Sequence, residues 1–186
     1  MFDNFVSLGS ACPVAASMAK YGLRSWSGPF DWLITMNLGW VLHYIENNFE
    51  DFLLYENIEE YNELKHFREI ASDFMFVHEE QPIAKTYNLV KAKYQRRIDR
   101  FIEKTKKPTC FLRAVLDENE VEFIIENALY ISQVIKKQNK YNEIIFLVKE
   151  GIEIQNIPFH SYSMSAEWGG EAGTFLEGGL MGHMSF

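Results

Sequence analysis

Side chains that can cooperate in nucleophilic catalysis follow three of the apolar runs in this 186-residue sequence. Cys12, His78 and Asp117 each come just after one of these runs. A thiol, an imidazole and a carboxylate can act as nucleophile, proton acceptor and orienting acid. Because ligands of an open parallel sheet bind beyond the carboxyl ends of its strands, the three side chains are predicted to share one site.

The residues around Cys12 are those of a helix start. Ser10 precedes the cysteine and Pro13 follows it, and both residue types are favoured where a helix begins. The first N–H groups of a helix lack intrahelical partners and lie at the positive end of its dipole, so we expect a lowered pKa for this thiol. The same pattern also fits a small side chain packed under a turn. The second cysteine, Cys110, lies within the apolar run PTCFLRAV and is predicted to be an inert, buried thiol.

The proton acceptor and the orienting acid each have a rival in the sequence. His160 is the alternative base if His78 lies too far from the thiol. Asp117 is assigned as the acid from topology alone, and Asp31 in the sequence PFDW is an equal candidate. An acid in such a tight aromatic loop can also hold that loop by accepting hydrogen bonds from backbone N–H groups.

Metal and cofactor sites are not indicated by the spacing of the polar residues. A set made of His78, Glu79 and Asp117 has no recognised ligand spacing, and no Gly-rich loop typical of phosphate binding is present. We therefore predict neither a metal nor a cofactor. The two cysteines do not form a CxxC pair and are expected to be free thiols in a reducing compartment.

The elements that must position these residues alternate between strands and helices. Strands are predicted at 5–8, 73–77, 109–116 and 143–148, and helices from the Cys12 turn and at 38–54, 85–106 and 118–137. The alternation indicates a single α/β domain over residues 1–186, with a mainly parallel sheet flanked by helices. Residues 55–72 are predicted to be irregular with a helical turn, 159–164 an edge strand, and the Gly-rich segment 165–186 a loose tail.

Composition excludes several classes of partner. The formal net charge of -8 gives a negative field that repels nucleic acids and anionic lipid surfaces. No apolar run approaches the roughly 20 residues of a spanning helix, and the segment MFDNFVSLGS has neither the basic start nor the apolar stretch of a signal peptide. We expect a cytoplasmic protein that binds neither nucleic acid nor membrane; its oligomeric state is not predicted.

Three motifs near the beginning of the chain, SLGSAC, YGLR and SGPFDWL, are specific when they occur together. They resemble the start of an uncharacterised, mainly bacterial family described as putative papain-like cysteine peptidases. The later segments IENNFEDFL, RRIDRF and CFLRA are compatible with the same family, so that the resemblance covers residues 4–148. It implies that Cys12 is a nucleophile with His78 as its partner. It also implies an alternative fold, a papain-like α+β structure with the nucleophile helix against an antiparallel sheet.

The leading hypothesis is a cysteine-dependent hydrolase or acyltransferase that acts on an amide, ester or isopeptide bond of a peptide or small-molecule acyl substrate. Ser10, Asp31 and Trp32 belong to the same motifs and are predicted to line the substrate site. The rival hypothesis is a non-catalytic module that binds a sugar or peptide through an aromatic loop; its residues would be Trp26, Phe30, Trp32 and Trp168.

The distance between the thiol and the imidazole distinguishes the two hypotheses. If the strands that end at Gly9 and Val77 are neighbours in a parallel sheet, their spacing of about 4.8 Å brings His78 over the start of the Cys12 helix. We therefore predict that His78 is the histidine closest to Cys12, at roughly 3 to 5 Å. A separation beyond about 8 Å for every histidine would favour the binding module, since one rotamer change could not close it.

Overall fold

The computed structural model describes residues 1–61, 66–79 and 82–164. The seven strands of this part are β1 (Asn4–Ser7), β2 (Ile58–Tyr61), β3 (His66–Glu69), β4 (Phe74–Phe76), β5 (Thr109–Val115), β6 (Glu143–Lys149) and β7 (His160–Met164). Its five α-helices are α1 (Cys12–Lys20), α2 (Leu38–Glu46), α3 (Ile83–Lys104), α4 (Glu118–Glu126) and α5 (Ala128–Lys136). The predicted loose tail at 165–186 lies outside the described residues.

The larger sheet is parallel throughout, with the strand order β1-β5-β6-β7. Alternate residues of β5 point to opposite faces because a strand has a period of two. Cys110, Leu112 and Ala114 pack with α1 residues on one face. Phe111 and Val115 pack with residues of the other four helices on the opposite face. The predicted α/β fold with a mainly parallel sheet flanked by helices is confirmed, as is the edge strand near the end of the described chain.

The smaller sheet is antiparallel, with the order β2-β3-β4, and the sequence prediction for this part was wrong in two respects. The run at 73–77 was assigned to the parallel sheet, but it forms β4 of the antiparallel one. The segment 55–72 was predicted to be irregular, but after a short 3₁₀ helix it contributes β2 and β3. These strands are three or four residues long, which is too short to show a clear period of two.

Two predicted helices are shorter than expected. The helix predicted at 118–137 is divided into α4 and α5 at Asn127, whose side-chain amide donates to the carbonyl of Phe123 at 2.9 Å. The helix predicted at 38–54 ends at Glu46. Phe49 and Leu53, in the turns beyond it, are buried and have left-handed backbone. Their spacing of four residues fits the apolar period of a helix, which is why the helix was predicted to continue.

A buried ion pair lies on the helix-rich face of the parallel sheet. Arg113 of β5 is fully buried, and its guanidinium donates to both carboxylate oxygens of Glu120 on α4, at 2.7 and 3.2 Å. A third nitrogen donates to the carbonyl oxygen of Leu8 at 2.9 Å and to the hydroxyl of Thr35 at 3.0 Å. One side chain therefore connects the end of β1, the loop before α2 and the start of α4.

Replacing Glu120 by Gln should destabilise the protein strongly, because it leaves the Arg113 charge buried without a counter-charge. We expect the free energy of unfolding to fall by about 3 kcal/mol, measured by urea denaturation. Glu122→Gln is the matched control, since it removes the same charge from an exposed position of α4 and should change stability by less than about 0.5 kcal/mol. Equal effects of the two variants would contradict the importance of the buried pair.

Candidate active site

The turn that carries the cysteine has two consecutive residues with left-handed backbone. Gly9 has a φ of 77° and Ser10 a φ of 66°. A Cβ atom on Gly9 would lie 2.2 Å from the hydroxyl oxygen of Thr35, so that only glycine fits at this position. Ser10 is not a glycine, and its conformation is held by two hydrogen bonds to Thr35: its N–H donates to the hydroxyl at 3.1 Å, and its carbonyl accepts from the backbone N–H at 2.9 Å.

The helix that follows this turn begins at Cys12, with Ala11 as its N-cap residue and Pro13 in the first turn. Proline is tolerated there because the first N–H groups of a helix have no intrahelical acceptor. Val14 and Met18 anchor the helix against the sheet. The cysteine is therefore held at the carboxyl end of β1, with its thiol half-buried.

The loop before α2 connects the turn at Gly9 and Ser10 to the antiparallel sheet. Thr35 is bound to Ser10, and its neighbour Ile34 pairs with Met75 of β4 through two backbone hydrogen bonds of 3.1 and 3.0 Å. His78 comes three residues after Met75 and is thereby brought to the helix start. The expectation that the strands before Cys12 and His78 are direct neighbours was wrong: β1 pairs with β5, and this loop lies between β1 and β4.

The thiol and the imidazole are in contact. The distance from Cys12 Sγ to His78 Nε2 is 3.3 Å, within the predicted range. His78 is exposed, so solvent and substrate can reach the pair. The catalytic roles of the two residues are proposals that this geometry supports.

The alternative base, His160, lies across the parallel sheet from the cysteine. Ser7 at the end of β1 pairs with Leu112 of β5, which pairs with Ile145 of β6. Ile145 in turn pairs with His160 of β7. Three strand spacings separate the two positions, a distance of about 14 Å. His160 therefore does not take part in this contact.

Trp32 lies beside the imidazole and is itself in contact with Arg24. The ring of Trp32 stands edge-on to that of His78, with 6.1 Å between their centroids. The guanidinium of Arg24 lies 5.1 Å from the centre of the Trp32 ring and donates to the Asp31 carboxylate at 2.8 Å. Asp31 also accepts from the N–H of Gly28 at 2.9 Å, as expected for an acid that holds its own loop. Its carboxylate is thus bound to Arg24 and the loop backbone, and the structure records no hydrogen bond between it and His78 among the described residues.

Asp117 has a different contact from the one that its predicted role requires. Its side chain accepts from the N–H of Glu120 at 3.0 Å and caps α4. Within the described ranges it has no recorded contact with His78. The geometry therefore supports a pair of Cys12 and His78, and a role for Asp117 as the orienting acid stays a prediction.

Ser10 is also predicted to line the substrate site. It is fully buried, and its hydroxyl lies 3.9 Å from the sulfur of Met36. Its observed interactions are those of a residue that shapes the turn, and substrate binding by its side chain stays a prediction.

Glu79 positions the segment that carries the imidazole. The carboxylate is buried, and it accepts from the ammonium of Lys93 and, at 3.2 Å, from the hydroxyl of Tyr94. Both partners are on α3, so the residue next to His78 is tied to this helix. From the sequence alone, Glu79 is a candidate only for a metal site, in a set of residues without recognised ligand spacing.

Burial raises the pKa of the Cys12 thiol above its ordinary value, and the nearby Asp31 carboxylate acts in the same direction. A hydrogen bond from the residue's own backbone N–H opposes this rise without reversing it. The expectation of a lowered pKa was therefore wrong, because desolvation outweighs the helix start. Burial likewise raises the pKa of Asp31 in spite of its hydrogen bond and ion pair with Arg24. For the fully buried thiol of Cys110, burial raises the pKa to about 12, which agrees with an inert thiol.

The aromatic side chains of the loop pack against other residues of the protein. Phe30 is fully buried, Trp26 packs against the main hydrophobic cluster, and Trp32 is flanked by Arg24 and His78. Trp168, the fourth residue of the predicted aromatic pocket, lies outside the described residues. The contacts of the loop thus give no support to a pocket for a sugar or peptide.

The described ranges show neither a cluster of metal ligands nor a membrane-spanning helix. They contain no group of three or more His, Cys, Asp or Glu residues arranged to hold a metal ion. None of the helices described has both the length and the apolar character needed to cross a membrane.

Three residues that build the site were not identified from the sequence. Arg24 holds the Asp31 loop, and Thr35 and Arg113 hold the turn before Cys12. The sequence does indicate a buried partner for Arg113, because a charged residue inside the apolar run CFLRAV must be paired if the run is a buried strand. Thr35 gave no comparable signal, since its bonds depend on a contact between distant segments.

Comparison with known proteins gives one family and one curated relative. The family described as "Putative papain-like cysteine peptidase (DUF1796)" matches residues 3–149. "Uncharacterized protein R408" of Acanthamoeba polyphaga mimivirus is 40% identical over 55 residues, which are 30% of this chain and 25% of that protein. The match thus spans about a quarter of the relative's length. Its viral source leaves the mainly bacterial distribution a prediction. No solved structure matches the chain.

Alkylation by iodoacetamide should depend on His78. Without this base, the raised pKa of Cys12 should confine the reaction to pH values above about 8.5, the pKa of a free cysteine. In a Cys110→Ala background, we expect His78→Ala to slow alkylation at pH about 7 by roughly ten-fold, while the exposed residue His160 can be replaced by Ala without effect. Equal alkylation rates of the wild type and His78→Ala at this pH would contradict assistance of Cys12 by His78.

The left-handed turn should tolerate no side chain at Gly9. Gly22 is the matched control, because its φ of 70° is similar but no atom lies within 4 Å of the Cβ that alanine would add. Both alanine variants bear the cost of a left-handed backbone, whereas Gly9→Ala also displaces Thr35. We expect Gly9→Ala to lower the free energy of unfolding by about 2 kcal/mol more than Gly22→Ala in urea denaturation. Similar losses would show that Thr35 moves aside easily.

Proposed function

Since this chain belongs to the family described as putative papain-like cysteine peptidases, we propose that it is a cysteine-dependent hydrolase or acyltransferase acting on an amide, ester or isopeptide bond. The observation that carries the proposal is the 3.3 Å contact between Cys12 Sγ and His78 Nε2 at a helix start. The substrate is a peptide or a small acyl compound, because the exposed imidazole leaves the pair open to an extended ligand.

In the first half of the proposed reaction, the Cys12 sulfur attacks the carbonyl carbon of the substrate, and the thiol proton passes to His78 Nε2. A tetrahedral intermediate forms. Its collapse breaks the bond to the amine or alcohol, which leaves with the proton from His78, and a thioester on Cys12 remains.

In the second half, His78 accepts a proton from water, whose oxygen attacks the thioester carbonyl. The carboxylic acid is released and the proton returns to the sulfur. An amine or alcohol in place of water gives acyl transfer by the same sequence of bonds. The N–H groups at the start of α1, which have no acceptor within the helix, are the proposed donors to the negative oxygen of both intermediates.

The raised pKa of Cys12 determines the role of the imidazole. Because burial favours the neutral thiol, the proposed mechanism has His78 remove the proton as the sulfur attacks, rather than hold a preformed thiolate. Trp32 limits rotation of the ring by standing against it. Replacement of Trp32 would therefore act on the position of His78 rather than on the thiol.

The site of action is proposed to be the cytoplasm. Both described cysteines, Cys12 and Cys110, are free thiols, and a free nucleophilic thiol persists best in a reducing compartment. The partners are the acyl substrate and, for transfer, an amine or alcohol acceptor.

Turnover should depend on Cys12 and His78. The test is a set of fluorogenic peptide amides, aryl esters and isopeptides, assayed with the wild type and with Cys12→Ala and His78→Ala. We expect each variant to lose at least about a thousand-fold in kcat/KM on any compound that the wild type cleaves.

Cys110→Ala and His160→Ala are the matched controls, since each removes the same side-chain type away from the contact, and both should retain activity. Turnover that survives Cys12→Ala would overturn the proposal.

A further inference from the structure

A groove of about 410 Å³ runs along α3 directly beside His78. His78 and Glu79 form one wall, and Leu89, Lys93 and Arg96 are among the α3 residues that form the other. The mechanism above uses only the imidazole at its end. The remaining walls are therefore free to determine which acyl groups reach Cys12.

The charge of this groove is positive although the chain carries a net charge of -8. Lys93 is neutralised by its ion pair with Glu79. Arg96 is exposed, and no ion pair joins it to a carboxylate in the part of the chain that the structure describes. The sequence of α3 adds to this local field, since it contains seven Lys or Arg residues against two acids.

An exposed apolar side chain lines the same groove as Arg96. Leu89 is 74% exposed, whereas Val90, which also lines the groove, is buried. An exposed aliphatic side chain about two helical turns from a guanidinium in the same groove suits a ligand with an aliphatic stem that ends in an anion. Arg is well suited to a carboxylate because its planar fork can donate two parallel hydrogen bonds.

We propose that this groove binds the carboxylate of the acyl substrate, with the aliphatic stem against Leu89 and the carboxylate at Arg96. The inference rests on the proposed function, because it assigns the acyl group that Cys12 attacks. A glutamyl or aspartyl side chain of a peptide and a small dicarboxylic acyl group share this chemistry. Uncharged acyl groups of the same length are the disfavoured substrates.

The first test uses thiol reagents and needs no turnover. In a Cys110→Ala background, Cys12 is treated with maleimidohexanoic acid and with its primary amide, which differ only in the charge at the end of the stem. The rate with the acid is divided by the rate with the amide, and this quotient is normalised to the same quotient for N-acetylcysteine amide. The normalised quotient reports binding of the carboxylate. We expect a value of about five, falling towards one at high salt.

Variants of α3 locate the effect. Arg96→Gln should bring the ratio to about one, and Arg96→Glu should reverse the preference. Lys104→Gln is the matched control, because it removes one charge from the same helix two turns beyond Arg96, and it should keep the preference. A ratio of one in the wild type, or equal effects of Arg96→Gln and Lys104→Gln, would overturn the proposal.

A second test separates this inference from the proposed function. Binding of adipic acid monoamide and of adipamide to Cys12→Ala is followed by the NMR shifts of the Trp32 indole and the His78 ring. We expect shifts with the monoamide only, lost in Arg96→Gln. Binding without any turnover would support carboxylate binding by the groove and contradict the proposed enzymatic activity. Turnover with no preference for acids would support the enzymatic activity and contradict carboxylate binding by the groove.

A comparison of substrates decides whether the carboxylate belongs to a peptide or to a small acyl group. Peptide amides with Glu or Gln beside the scissile bond are compared with aryl monoesters of adipic acid and of its monoamide. A preference for Glu alone identifies a peptide, and a preference for the adipic acid ester alone identifies a small acyl group. Equal rates for both members of each pair would overturn the proposal.

Discussion

The buried guanidinium of Arg113 is the interaction on which the position of Cys12 depends. Glu120 compensates its charge, and the remaining nitrogen binds the Leu8 carbonyl and the Thr35 hydroxyl. The same hydroxyl accepts from the N–H of Ser10, so the left-handed turn before the cysteine is supported from inside the fold. A pair of this kind contributes little net stability, and its value lies in fixing one arrangement of segments that are distant in sequence.

The Cys12–His78 pair lies where the two sheets meet. Cys12 follows the end of a parallel strand, whereas His78 follows a strand of the antiparallel sheet, and the loop containing Ile34 and Thr35 joins them by backbone hydrogen bonds. The thiol is supported by the hydrophobic face of α1, and the imidazole by the attachment of Glu79 to α3. A displacement of either sheet would therefore change the 3.3 Å contact.

Electrostatics divides the site into two environments. Around the thiol, burial and the Asp31 carboxylate favour the neutral form, and the proposed role of the nearby imidazole is to accept the thiol proton. Beyond the imidazole, Arg96 and the other basic residues of α3 create a positive surface on an otherwise acidic chain. A charge run of this kind is commonly only a solvated face. This one differs because Arg96, which has no ion pair with any described residue, lines the same groove as the exposed Leu89.

The sequence by itself determined the local features: the parallel strands, the glycine turn, the helix that begins at Cys12, and the inert environment of Cys110. Each depends on neighbours along the chain or on apolar periodicity, which can be read directly. Only the tertiary structure decided that His78 comes from a separate antiparallel sheet, that Asp117 caps a helix, and that burial raises the pKa of the thiol. These depend on the packing of distant segments, because desolvation and hydrogen-bond partners are set by what surrounds a group rather than by what precedes it.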